Sequence, residues 1–279
     1  METQVEIKEI QKCCLEIVKD IDRVCREHGI RYSLCGGSVI GAHLYQGFIP
    51  WDDDIDLMMT RKHYDKFLEV YPKYGNPRYH LHHYSTDGVQ NLPALFSRVE
   101  DRHTRMTEEI AQGVRNGHVF VDITVFDNIS GKCYNQFIHV YNAYIYTFLY
   151  RMNGMTPGTG WKQFLFGLLP KKVDENRLRK RYEAFENTCR RHTYRRKAKY
   201  CAELLSAAYS GILYEPRIFK RYTEIPFESE KLMIVKDYMD YLFMRYGKRE
   251  FVKEMPDQDR QKPHIREFSV IEDETDETH

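Results

Sequence analysis

Apolar side chains at Ile7, Ile10, Cys14, Ile17, Val18, Ile21 and Val24 recur at three- and four-residue steps with charges between them. That period predicts an amphipathic packing helix, and Gly29 supplies its stop. Ile30, Tyr32 and Leu34 then alternate as a first strand. Residues 38–45 read as a helix, 49–51 as a bend and 54–59 as a second strand. Thr60 can cap the next helix, whose Tyr64, Phe67, Leu68 and Tyr71 form a core stripe before Pro72; Arg61 and Lys62 at its start read as exposed basic residues, with charge balance against the acidic strand or contact with phosphate as the alternative. A loop rich in Pro, Gly, Tyr and His follows, then a strand over 94–100. Residues 117–126 form the strongest later strand, apolar and β-branched throughout except for Asp122. Aromatic runs at 137–150 and 161–169 flank a Gly-rich loop, 201–209 reads as a short helix, and 218–227 and 231–235 as extended. A helix over 237–246 stops at Gly247. Strands and helices mixed in this way, without a repeat, predict an α+β fold.

One stretch carries most of the chemistry. Asp52, Asp53, Asp54 and Asp56 crowd into five positions, directly after Pro50 and Trp51. On a strand, Asp54 and Asp56 project to one face while Ile55 and Leu57 face the core. Paired carboxylates either share a proton or bind a hard divalent cation, which completes its oxygen shell with phosphate and water. Upstream, Gly36 and Gly37 permit close backbone approach, and Ser38 is a good N-cap for a helix whose N–H groups attract phosphate. A Gly-Gly-Ser turn alone is usually only a turn, and an Asp run alone a solvated loop. Their adjacency, with the apolar alternation of Ile55 and Leu57, points to a metal and phosphate site.

These residues resemble a known family. Gly37-Ser38, Gly41-Ala42 and the run Gly47-Phe48-Ile49-Pro50-Trp51-Asp52-Asp53-Asp54-Ile55-Asp56 are similar to the signature of the LicD family, a branch of the nucleotidyltransferase-fold superfamily that includes fukutin-type transferases. The resemblance implies a mixed sheet flanked by helices, an Asp-x-Asp strand after a Gly turn, and a third carboxylate on a later strand. It assigns Asp54, Asp56 and Asp122 to Mg²⁺ (or Mn²⁺), Gly36, Gly37 and Ser38 to the donor's phosphates, and Arg98, in the phrase Phe96-Ser97-Arg98-Val99, to the same role. Asp53, Asp127 and His264 are secondary candidates, Asp127 because Asp122-Ile123 and Asp127 fit the family's carboxylate phrase. Asp122 is the expected proton acceptor.

The activity implied is transfer of a phospho-alcohol, phosphocholine foremost, from a CDP-activated donor such as CDP-choline to a glycan or lipid-linked glycan, of the kind found in teichoic acid or lipopolysaccharide. Two other readings stay open: a nucleotidyltransferase moving an NMP from an NTP, and a non-catalytic glycan- or membrane-binding protein. Residues 1–270 are expected to form one domain, with its core at 1–128 and 215–265, a mainly helical insertion at 129–214, and an acidic tail at 271–279.

Composition narrows the partners. With 42 basic and 41 acidic residues the net charge is +1, which gives no global signal for nucleic acid. Seven cysteines lie without CxxC pairs, fitting a reduced cytoplasmic setting, and METQVEIKEI lacks the apolar centre of a signal peptide. Residues 171–199 hold twelve Lys or Arg against four Asp or Glu. A solvated basic helical face explains that excess, and contact with an anionic membrane surface or acceptor is the alternative. His80, His82 and His83 have strand spacing and no acidic partner nearby, which argues against a transition-metal site.

Overall fold

The computed structural model describes residues 2–87, 95–110, 113–152, 174–195, 199–205, 211–248, 250–251 and 263–271. The expected loop at 153–160, the aromatic run at 161–169 and most of the acidic tail lie outside them. The architecture is α+β.

Helix α1 (Glu2–Glu27) buries the periodic face from Ile10 to Val24, and Gly29 ends the helical stretch at φ +62°. A brief strand β1 (Ser33–Leu34) leads into α2 (Gly36–Tyr45), and β2 (Asp56–Thr60) feeds directly into α3 (Arg61–Tyr74). Strand β3 (Tyr79–His82) and a single turn α4 (Tyr84–Asp87) precede the long hairpin of β4 (Ser97–Ile110) and β5 (Gly113–Ile129). The main sheet runs β1-β2-β5-β4-β3, with β2 and β5 parallel and the other pairs antiparallel. Helix α1 packs on β5 and β4, and α3 on β2, β5 and β3. The sheet therefore has one face closed by apolar side chains such as Val99, Val121 and Ile123 and another that carries Arg98 and Asp122.

Helices α5 (Lys132–Met152) and α6 (Glu175–Arg195) meet through Tyr141 and Phe185, whose rings stand edge to face at 5.3 Å. Residues 201–203 belong to strand β6 (Tyr200–Glu203) rather than to the expected helix, since they pair with the free end of β5 from Phe126 to Ile129 and bury Cys201 and Ala202. After a 3₁₀ turn at Pro216–Lys220, β7 (Tyr222–Phe227) and β8 (Glu230–Val235) form a separate hairpin. Helix α7 (Tyr238–Tyr246) ends at Gly247 with φ +69°, and β9 (Ile265–Val270) adds to β4.

The hairpin holds the loop between α2 and β2. Glu228, at φ +52°, donates its N–H to Gln46 O (2.7 Å), and its side chain accepts from Phe48 N–H (3.1 Å). Gly41 sits so close beneath this loop that a Cβ there would stand 2.5 Å from Gly47 O.

Arg61 is a second departure from expectation. It is buried, not exposed: Nε and Nη2 reach Asp127 Oδ1 (2.8 Å) and Oδ2 (2.6 Å), and Nη1 reaches Glu186 Oε1 (2.7 Å). Three fully buried charges pair there and tie α3, β5 and α6 together, with Glu186 Oε2 left without a hydrogen bond and 3.2 Å from Arg190 Nη1. Such a set tolerates burial only while complete.

Candidate active site

Asp56 opens β2 and stands opposite Asp122 in the parallel register with β5. The position is pinned by backbone bonds, from Cys35 N–H to Asp56 O (2.8 Å) and from Asp122 N–H to Ile55 O (3.2 Å). Asp54 and Asp56 are half-buried. Burial, then repulsion by Asp122 and Asp52, pushes the Asp56 carboxyl up to about 7; burial with Asp56, Asp53 and Asp122 pushes Asp54 well up. The carboxylates are thus a mutually repelling group in a poorly solvated place, where a cation would be welcome.

The Gly turn lies against them. Gly36 adopts φ +53°, and a Cβ added there would sit 3.4 Å from Asp56 Oδ2 and 3.8 Å from an Arg245 guanidinium nitrogen. At Gly37 the same atom would come 3.1 Å from Asp52 Oδ2. The turn is fixed from below by Tyr241, whose hydroxyl accepts from Gly36 N–H (3.0 Å) and contacts Cys35 Sγ (3.2 Å). The N-cap of α2 is Cys35, not Ser38. Ser38 is instead a buried brace, its Oγ accepting from Asp56 N–H (2.9 Å), so it couples the turn to the carboxylate strand.

Asp122 is held from the other side. Arg98, opposite it in the β4–β5 register, donates from Nε (2.5 Å) and Nη2 (2.9 Å), and its guanidinium lies 3.3 Å above the Phe120 ring. The residue expected to read phosphate thus spends its fork on the third carboxylate. Its remaining Nη1 is buried without a hydrogen bond, 3.6 Å from Glu108.

The secondary candidates divide. Asp53 is buried beside Asp54: its Oδ2 accepts from Ile265 N–H (2.7 Å), its Oδ1 lies 3.5 Å from His264 Nδ1, and one ligand atom from each of Asp53, Asp54 and His264 falls within 4.8 Å of the others. His264 is held up at about 9, mainly by Asp53, at the rim of the same acidic loop. Asp127 lies apart, buried with Arg61. Sequence reasoning passed over two residues. Asp52 shares the alternation of Asp54 and Asp56, and burial with Asp54 and Asp53 pushes it up to about 8; the i, i+2 rule that selected Asp54 selects it too. Arg245 on α7 brings positive charge beside Gly36, and only the fold shows this.

A Gly turn, a short helix, an Asp-bearing strand and a carboxylate on its parallel neighbour thus stand together, the arrangement that the resemblance implied. Residues 29–149 match the family model for the LicD/FKTN/FKRP nucleotidyltransferase domain. It is 24% identical, over 96% of its length and 99% of the relative's, to the lipopolysaccharide cholinephosphotransferase LicD of Haemophilus influenzae. A shorter likeness, 28% over 68 residues, joins 24% of the chain to 22% of an uncharacterized protein of Rickettsia typhi.

Proposed function

We propose that the protein transfers a phospho-alcohol, phosphocholine foremost, from a CDP-activated donor to a hydroxyl of a cell-surface glycan or its lipid-linked precursor. The observation that carries this reading is the facing pair Asp56 and Asp122 beside Gly36, where the missing side chain leaves room against Asp56 Oδ2. The likeness to a cholinephosphotransferase over nearly both whole chains supports the donor and acceptor class.

The oxygen-only donor set and its crowding fit Mg²⁺ or Mn²⁺. Asp54 and Asp56 would hold the ion, with Asp122 in the same row. When bound, such an ion neutralises charge on the donor's diphosphate and on the departing CMP. The chain's own residues do the rest. Gly36 and Gly37 let the phosphates approach the backbone, Arg245 faces them with a guanidinium, and Arg98 holds Asp122 in orientation. Because both Asp122 oxygens already accept from Arg98, Asp52 is the carboxylate left to take the proton of the attacking hydroxyl, and its raised affinity suits that step.

The same reading takes the protein as cytoplasmic and peripheral to the inner face of the membrane. Phe137 and Val140, exposed on α5, offer apolar contacts beside basic α6. No helix among the described residues is long and apolar enough to cross a membrane.

The test is product analysis with Mg²⁺ and CDP-choline, CDP-ribitol, CDP-glycerol, CTP and ATP. CMP released from one CDP-alcohol and abolished by EDTA is the expected result. Pyrophosphate from CTP or ATP would replace this reading with nucleotidyl transfer. Full activity in folded Asp54→Asn and Asp56→Asn variants would remove the metal assignment.

A further inference from the structure

His80 and His82 stand two residues apart on β3 and face the same side. The chain then turns back, and α4 carries Asp87 over them. His80 Nε2 lies 2.6 Å from Asp87 Oδ1 and His82 Nδ1 3.1 Å from Asp87 Oδ2. One ligand atom from each residue falls within 4.8 Å of the others, and the two rings meet edge to face at 4.6 Å. The acidic partner these histidines need lies five residues after His82, contrary to the expectation of none nearby, and the turn back at α4 brings it onto them.

We propose that His80 Nε2, His82 Nδ1 and the Asp87 carboxylate form a second metal site, for a borderline divalent ion of the zinc type. Two imidazoles and a carboxylate favour zinc over magnesium, which prefers oxygen alone. Donors in a tetrahedral zinc shell with bonds of about 2.0–2.1 Å stand roughly 3.4 Å apart, within reach of the present spacings. His82 distinguishes this group from a hydrogen-bonded His–Asp–His trio. Its Nδ1 is buried and makes no hydrogen bond, the 3.1 Å approach to Asp87 falling outside hydrogen-bond geometry. Its other nitrogen, Nε2, is 2.9 Å from Glu100 Oε2. With Glu100 behind Nε2, the neutral ring that a bound ion would require presents its Nδ1 lone pair to the site, the arrangement that supports metal-bound imidazoles. Asp87 is itself oriented, its Oδ2 accepting from Thr86 Oγ1 (2.9 Å) and from His83 N–H (3.4 Å). Three protein ligands leave the fourth position for water or an outside ligand.

This site is separate from the catalytic carboxylates. His82 pairs with Arg98, Arg98 with Asp122 and Asp122 with Asp56, so the two ends of that row are three strand spacings, roughly 14 Å, apart. No single ion serves both.

The experiment uses the full chain, stripped with a chelator and titrated with ZnCl₂ in competition with a chromophoric chelator, then with Co²⁺ read by visible absorption. The expected result is one zinc per chain that survives the Asp54→Asn/Asp56→Asn change and weakens in His80→Gln and His82→Gln by more than the roughly 10–100-fold that loss of an outer partner costs, with loss of the four-coordinate Co²⁺ bands. Circular dichroism of the stripped variants checks folding. Should His82→Gln fail to fold, the partly exposed His80→Gln keeps the test. Absence of zinc binding by the unaltered chain, or binding that follows the carboxylates and ignores the histidines, overturns the proposal.

Discussion

Both oxygens of Asp122 accept from a single guanidinium, Arg98 Nε at 2.5 Å and Nη2 at 2.9 Å. The pair sits on the polar face of the sheet, almost without solvent, with Arg98 4% and Asp122 9% exposed. Removing one partner leaves the other charge stranded. Arg98→Met should therefore cost about 3–5 kcal/mol of stability, while Arg98→Met with Asp122→Asn should cost less than the two single changes together. Urea unfolding of the four proteins measures the coupling, and strict additivity would show that the contact carries none.

The carboxylates around Asp56 repel one another, so a divalent cation that binds them should stabilise the fold by mass action. At a hundred times its dissociation constant Mg²⁺ should add about 2.7 kcal/mol. Thermal unfolding with Mg²⁺ and with EDTA reads the shift directly, and Asp54→Asn/Asp56→Asn should abolish it. A shift of equal size in that variant would place the ion elsewhere.

Acid should act through the buried cluster of Arg61. Burial alone would raise the Glu186 carboxyl, but His83, Arg61 and Arg190 outweigh it and bring it from 4.5 down to about 2. A carboxyl lowered in the native state adds stability that is complete above its unfolded value and lost as pH falls through the folded one. The loss should occupy the window from about pH 5 to about pH 2. Unfolding midpoints across that range should fall more gently for Glu186→Gln, although that variant is weaker at pH 7. Parallel curves would relieve Glu186 of the effect.

Gly41 offers a purely steric prediction. Its added Cβ would meet Gly47 O at 2.5 Å and Ile49 N at 3.1 Å, backbone atoms of the loop that Glu228 fastens at the neighbouring Gln46 O and Phe48 N–H. Gly41→Ala should cost about 1–3 kcal/mol, as overpacking does. Gly131, with nothing within 4 Å of the same atom, is the control and should tolerate alanine. Chemical denaturation of both variants makes the comparison.

How much of this was legible follows from the range of each rule. Asp54, Asp56 and Asp122 could be read because alternation along a strand is local and the resemblance covered both strands. The partner of Arg98 could not, since it depends on a register linking residues 24 apart in sequence. Arg61 looked solvated for a like reason: a basic residue at a helix start normally is, and its partners come from 66 and 125 residues away. Residues 201–203 were misread as helix because the exposed end of β5, not local propensity, decides their conformation. Asp87 was near enough to His80 to be noticed, but strand spacing does not reveal that the chain folds back.

The clasp that Glu228 and Tyr241 place on the Gly turn also sets an order of events during synthesis. Residues 29–149 hold the Gly turn and every carboxylate of the candidate site, yet they hold neither the acceptor of Gly36 N–H nor the hydrogen bonds that close the loop at Gln46 and Phe48. A nascent chain released only to residue 149 would carry the charged groups before anything fixed their spacing, and the Arg61 cluster would still lack Glu186. Competence arrives late, with the emergence of residues 222–246. The portion matched by the family model thus lacks the contacts that fix its own Gly turn and loop.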